Sequence, residues 1–282
     1  MRSDPMQSGG PLGDSAGRDY SRKLQRFNTF AEPELREAIA SLKLRPGMRV
    51  LDAGCGTGEA LRWLSETVEP GGFAVGTDLS APHLSACAQG RKNSLVFQAD
   101  LSRLPLHAAS LDLIWCVNTI HHLPDPLTAL QALSSLLHAG GRIALGQSSF
   151  LPDMYFAWDS RLERLTNEAV RRYYRERYGL QEQDLKAVRA TVGLMRNAGL
   201  RHVKARTFII ERIFPVSADT EAYLLEAIFR GTWGERLRPF LSSEDYAELS
   251  RLCDPQHADY ALRREDFHFM QSFTLVVGAR GD

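Results

Sequence analysis

The sequence predicts a doubly wound, mostly parallel α/β sheet of seven strands with helical lid insertions, and three observations carry that prediction. Four short apolar runs in the first half, at residues 50–53, 73–77, 95–98 and 111–117, each lead into polar residues. Stretches of helical composition separate or follow them, which gives the β–α–β rhythm of a parallel sheet. The first run passes directly into Gly54-Cys55-Gly56-Thr57-Gly58, with glycine at every second position.

Residues 1–17, rich in Gly, Ser, Pro and Asp, read as a disordered tail ahead of one domain over 18–282. A helix-forming segment over 20–30 carries Tyr20, Phe27 and Phe30. Pro33 suits a first helical position, and Leu35, Ala38, Ile39 and Leu42 follow at helical spacing. Pro46-Gly47 stops that helix before the first strand. The glycines beyond that strand tolerate positive φ and close approach of a ligand to the main chain. Residues 59–67 read as a helix, so the turn ends at a helix N-terminus whose free N–H groups favour a negative group. The dinucleotide fingerprint G-x-G-x-x-G fits poorly. Glu59 stands where its third glycine belongs, and Gly58 comes one residue early.

The second run ends in Asp78-Leu79-Ser80, an acid placed to accept hydrogen bonds from a ribose diol. The third ends in Asp100-Leu101, where a carboxylate is placed to receive an adenine amine. The fourth ends in Asn118-Thr119-Ile120-His121-His122-Leu123-Pro124-Asp125. In an open parallel sheet these ends share one rim, where such folds bind ligands. Asp125-Pro126 then starts a helix with Leu130, Leu133 and Leu137 on one face, Gly140-Gly141 ends it, and 142–146 is the fifth strand.

Beyond residue 150 the rhythm breaks. A largely helical insert over 151–190 contains Tyr155, Phe156, Trp158, Tyr173, Tyr174 and Tyr178. Residues 194–200 form a helix with a glycine stop, 203–210 the sixth strand and 273–278 the last. Between those two strands, Leu225, Phe229, Trp233 and Leu237 recur every four residues within 213–267, although Gly231 and Gly234 weaken a single long helix. This second insert reads as a lid or substrate wall.

The motifs VLDAGCGTG, GTDLS, QADLSRLPL, LDLIWCVNTIHHLPDP and LLHAGGRIAL, in that order over about residues 35–150, resemble the class I S-adenosylmethionine-dependent methyltransferases of the small-molecule, quinone-biosynthesis-like type. The resemblance implies a Rossmann-like sheet with an antiparallel last strand. It implies S-adenosyl-L-methionine as cofactor, giving S-adenosyl-L-homocysteine as product. The turn through Gly54, Gly56 and Gly58 would hold its methionine part, Asp78 the ribose, and Asp100 and Leu101 the adenine, with Asp52 and Leu79 also binding the cofactor. Asn118 would line the floor near the sulfonium.

The expected activity is methyl transfer to a small, apolar or aromatic acceptor. His121 and His122 follow the fourth strand, and histidine is the side chain best suited to take a proton at neutral pH. Neighbours on a helix diverge by about 100°, so one of the two serves, with His122 preferred. Tyr20, Phe27, Tyr155, Trp158 and Trp233 are the expected substrate wall. No metal is required. Cys55 and Cys116 read as inert small apolar residues.

Lys+Arg and Asp+Glu balance at 34 each, so no bulk attraction to nucleic acid or anionic membrane is implied. The run Arg171-Arg172-Tyr173-Tyr174-Arg175-Glu176-Arg177 reads as a solvated helix face. Asn/Asp-Pro-Pro-Tyr/Phe/Trp, which resembles adenine or glutamine amide methylation, and Pro-Cys, as in cytosine C5 enzymes, do not follow the fourth strand. No apolar run approaches the roughly 20 residues of a membrane span. Four cysteines without metal-site spacing fit a reduced, cytoplasmic protein, monomer or homodimer. The alternatives are a methyltransferase acting on RNA or protein, and a non-methylating cofactor-binding protein, either a cyclase or a regulatory module.

Overall fold

The computed structural model describes residues 21–89, 95–149, 155–156, 159–178 and 187–281. Five strands, β1 (Arg49–Ala53), β2 (Phe73–Asp78), β3 (Leu95–Gln98), β4 (Leu111–Val117) and β5 (Leu137–Ser148), are mutually parallel. A two-residue strand β6 (Tyr155–Phe156) and the long strands β7 (Arg201–Ile213) and β8 (His268–Ala279) complete the sheet. The order is β3-β2-β1-β4-β5-β8-β7, with β6 pairing the outer stretch of β8 beyond β5. Only β8 runs against the others. The seven longer strands are those the sequence predicts, so the fold class holds, and the C-terminal ends of β1 to β5 share one rim.

Three details differ from expectation. Gly140 and Gly141 do not end a helix; they lie inside β5, which starts at Leu137. The backbone of Arg280 supplies the partners that keep both in the sheet, through Gly140 N–H to Arg280 C=O and Arg280 N–H to Gly141 C=O. Tyr155 and Phe156 are not helical but pair with Met270 and Phe269. Finally, β7 and β8 outrun their predicted lengths, and their ladder continues until Ile213 faces His268. Residues 214–267 thus hang from the tip of a long hairpin.

Helices cover both faces. Against one pack α1 (Ser21–Phe30), α2 (Glu32–Ser41) and α3 (Glu59–Val68), burying Phe30, Leu35, Ile39, Trp63 and Leu64 against Trp115, Ala144 and Phe273. Each large side chain so buried contributes on the order of 2–3 kcal/mol. Against the other pack α5 (Pro126–Leu136) and α7 (Ala187–Asn197), through Leu130, Leu133 and Met195 onto Ile114, Ile143 and Leu145. The start of α5 follows the predicted chemistry, with Pro126 in the first turn and Asp125 accepting from Thr128 N–H at 3.0 Å. The remaining helix of this half, α4 (Ala81–Gln89), follows β2.

The inserts pack together, the second of them against α1. The first is mainly α6 (Ser160–Tyr178). The second holds α8 (Ala218–Tyr223), a π-helical stretch Leu224–Trp233, and α9 (Ser243–Leu252). The four-residue spacing of apolar side chains exceeds the 3.6 of an α-helix and suits the wider i→i+5 turn seen here. Tyr223 stacks on Phe30 with ring centroids 4.2 Å apart and meets Phe27 at 5.8 Å, while Arg22 and Arg26 both pair with Glu226. Arg161 of α6 bridges Asp245 and Glu248 of α9, tying the inserts together. Among the described residues, no helix is long and apolar enough to cross a membrane.

Candidate active site

The nine residues expected to hold the cofactor all fall at the ends of β1 to β4. Asp52 is buried near the end of β1, beside Trp115 and Gly76 in register. The glycine turn then leaves the strand, anchored by Gly54 N–H and Cys55 N–H to the Thr77 carbonyl at 2.8 and 2.9 Å. Gly54 has φ +83°, and a Cβ there would lie 2.3 Å from Thr119 Oγ1, so the β1 and β4 turns are packed backbone to side chain. Gly58, with φ +87°, is the left-handed cap from which α3 starts.

Two clasps hold this turn. From below, Gly56 N–H donates to Asp78 Oδ2 at 2.9 Å, while Asp78 Oδ1 accepts from Ser80 N–H at 2.8 Å and faces His83 Nδ1 at 3.4 Å. Burial alone would raise the Asp78 carboxyl, but the bonds from His83, Ser80 and Gly56 outweigh it and hold the group below the usual carboxylate range. From above, Glu59 Oε2 accepts from Thr57 Oγ1 at 2.6 Å and from Asn28 Nδ2 of α1 at 2.8 Å. The residue that breaks the dinucleotide pattern is therefore what fastens α1 across the turn, and Leu24 of α1 comes within 3.2 Å of where a Cβ at Gly56 would sit.

Further along the rim, Leu79 is a large apolar side chain left half exposed, and Leu101 is buried. Asp100 is exposed and caps its own turn through Ser102 N–H and Oγ, both at 2.8 Å, which hold its carboxyl below the usual range. Cys55 is buried, and its hydrogen bond with Cys87 and its burial push the thiol far up. Burial pushes Cys116 up to about 12. Neither sulfur is a nucleophile near neutral pH.

Asn118 adopts φ +52°, a conformation asparagine tolerates. Its side chain is spent on the end of β5: Oδ1 accepts from Ser148 N–H at 2.8 Å and Gln147 Nε2 at 3.2 Å, and Nδ2 donates to Ser148 Oγ at 3.2 Å. His121 and His122 lie in the short 3₁₀ turn Ile120–His122. Rather than diverging, their rings lie against each other, centroids 3.9 Å apart and inclined by 43°.

Of the expected substrate wall, Phe27 is half-buried between α1 and the insert. Tyr20 and Trp158 lie outside the described residues, and for Tyr155 and Trp233 only the backbone is described. Sequence reasoning missed Asn28, Gln147, Tyr223 and Gln271. Each meets its partner through long-range packing, and only a buried glutamine inside an apolar strand pattern, as at Gln147, offered a local signal.

Residues 51–145 match a family model described as a methyltransferase domain. The chain is 34% identical over 138 residues to 27-O-demethylrifamycin SV methyltransferase of Amycolatopsis mediterranei, covering 48% of this chain and 50% of that protein. It is 29% identical over 143 residues to demethylmenaquinone methyltransferase of Lactococcus lactis, covering 48% and 56%. This chain thus spans about half the length of these relatives. Its fold is like that of the YcgJ protein of Bacillus subtilis, with a TM-score of 0.57 at 17% identity over 89% of this chain and 99% of that one. By domain match and strand order together, the first half of this chain is similar to a methyltransferase domain, and its fold is that of the solved structure just named.

Proposed function

We propose that the chain transfers a methyl group from S-adenosylmethionine to a small, apolar or aromatic organic acceptor. The observation that carries this reading is the doubly clasped glycine turn at the head of α3, a cradle in which a Cβ at Gly54 would collide with Thr119. Bound there, the cofactor supplies a methyl group already activated by a positively charged sulfur. The turn through Gly54, Gly56 and Gly58 and the N-terminus of α3, backed by Asp52, would hold its methionine part. Asp78 has three of roughly four carboxylate acceptor sites engaged, so it has room for one ribose hydroxyl. Leu79, Asp100 and Leu101 would receive the ribose edge and adenine, and Asn118 would form the floor.

Such a reaction asks the protein chiefly for alignment and exclusion of water. Helix α1 and the insert over 214–267 supply the cover in this reading, with Phe27 on its inner side; Tyr20, Tyr155, Trp158 and Trp233 extend the same wall. His122, supported by His121, receives the proton of a neutral acceptor. The relatives favour a small acceptor, since the names of two carry a rifamycin and a demethylmenaquinone.

Calorimetric titration with S-adenosylhomocysteine and, separately, NAD tests the reading. Micromolar binding of the first, weakened by Asp78→Ala and absent for NAD, is the expected result. Failure to bind S-adenosylhomocysteine, or preference for NAD, overturns it.

A further inference from the structure

The rim beyond Asn118 is unusually polar for a buried place. Gln147, Ser148 and Ser149 at the end of β5 and Gln271 on β8 are each at least nine-tenths buried. They form one chain, joined by hydrogen bonds and by the Ser148–Ser149 peptide bond. Gln147 Nε2 donates to Asn118 Oδ1 at 3.2 Å and to the Ser148 carbonyl at 3.3 Å. Ser149 exchanges bonds with Ser272, and Gln271 Nε2 donates to the Ser149 carbonyl at 3.2 Å. The chain ends at Tyr223 of the insert, whose hydroxyl reaches Gln271 Oε1 only at 3.5 Å.

One atom in this chain has no partner among the described residues: the side-chain oxygen of Gln147. Its assignment is secure, because a flipped amide would press that oxygen against the Asn118 and Ser148 oxygens that the NH2 group now satisfies. Buried carbonyls are rarely left unpaired, and such an exception asks for a cause. Here the oxygen belongs to the same amide that touches Asn118, the residue assigned to the floor of the methyl-donor site. An acceptor-only group so placed is complementary to a hydrogen-bond donor such as an O–H or N–H.

We propose that Gln147 Oε1 accepts a hydrogen bond from the hydroxyl or amine of the methyl acceptor and positions it beside Asn118 before His122 takes its proton, so that the substrates are compounds presenting an O–H or N–H on an apolar body. This rests on the methyltransferase reading and deepens it: the site selects against acceptors that offer only carbon or a thioether. A partner that lacks the donor leaves the oxygen unpaired, which is the condition under which hydrogen-bonding sites discriminate strongly.

The test uses the whole chain loaded with S-adenosylhomocysteine, with 1-naphthol and 1-methoxynaphthalene as probes, binding being read by ligand-detected NMR titration. The two share a ring system, but only the first carries a donor. The wild type is expected to prefer 1-naphthol, and Gln147→Leu to bind it about tenfold more weakly, the effect of one buried hydrogen bond. Binding of 1-methoxynaphthalene should be the same in both proteins. Equal affinity of the wild type for the two probes, or no binding of 1-naphthol, overturns the proposal without reference to any variant. Unchanged 1-naphthol affinity in Gln147→Leu overturns it as well. Gln147→Met, closer in shape, replaces the leucine variant if that one loses S-adenosylhomocysteine affinity. Loss of S-adenosylhomocysteine binding by the wild type would instead remove the methyltransferase reading itself.

Discussion

Placing a methyl group on Gly54 would strain the site in two separable ways. An L-residue at φ +83° costs about 1–2 kcal/mol. The added Cβ would also lie 2.3, 2.4 and 2.8 Å from Oγ1, Cγ2 and Cβ of Thr119, an overlap of the kind that costs about 1–3 kcal/mol. Gly54→Ala should therefore lose about 2–5 kcal/mol, read as the shift in urea midpoint multiplied by the slope. Thr119→Ala alone removes the bond from Oγ1 to the Val117 carbonyl at 2.8 Å and should cost about 1 kcal/mol. In the Gly54→Ala background the same change removes the two closest contacts and should restore about 1–2 kcal/mol, reversing sign. Additivity of the two substitutions within about 0.5 kcal/mol would refute the packing argument.

Other consequences follow from the clasps and ion pairs. Asn28→Ala frees α1 from Glu59 and should lower S-adenosylhomocysteine affinity about fivefold while costing roughly 1 kcal/mol of stability; unchanged affinity would mean α1 does not guard the turn. Asp78 titrates below its unfolded value, so its contribution to stability is full above about pH 4 and is lost as pH falls through the depressed folded pKa. Denaturant midpoints taken downward from pH 5 should fall less steeply in Asp78→Asn, and parallel curves would exclude that assignment. His138 behaves oppositely: its contacts with the Ala139 carbonyl and Asp112 raise it, so its contribution is full below about pH 6.5 and lost as pH rises through the folded value. In Asp112→Asn that alkaline decline should shrink. Replacing His121 and His122 together by Gln should lower turnover at least about tenfold with cofactor affinity unchanged, and wild-type turnover would remove both from the reaction.

Much of the first half was readable because its signals are local. Apolar runs of strand length, polar residues at their ends and glycine at alternate positions all operate within a few residues, and β1 to β4 appear where those signals place them. Two of the misreadings share a cause, a partner far away in the sequence. Gly140-Gly141 looks like a helix stop until Arg280, far away in sequence, pairs with it. Tyr155-Phe156 looks helical by its neighbours until β8 offers a free edge. The histidine pair, expected to diverge, closes on itself in a tight 3₁₀ turn. In the insert, the four-residue spacing was visible, but its wider helix type was not, because Gly231 and Gly234 suggested a break instead of a change of turn.

The sequence by itself determined the order of the sheet-forming elements, the glycine cradle after β1 and the acidic residues at the next two strand ends, since each is dictated by backbone conformation and periodicity over short spans. Only the tertiary structure decided what closes the glycine turn and which polar groups meet at the end of β5. Asn28 meets Glu59 across 31 residues, Gln147 meets Asn118 across 29, and Gln271 meets Ser149 across 122. Whether a buried polar atom finds a partner depends on which distant side chains the packed sheet brings beside it, and no local pattern encodes that. Among the described residues Gln147 Oε1 is left without one for this reason.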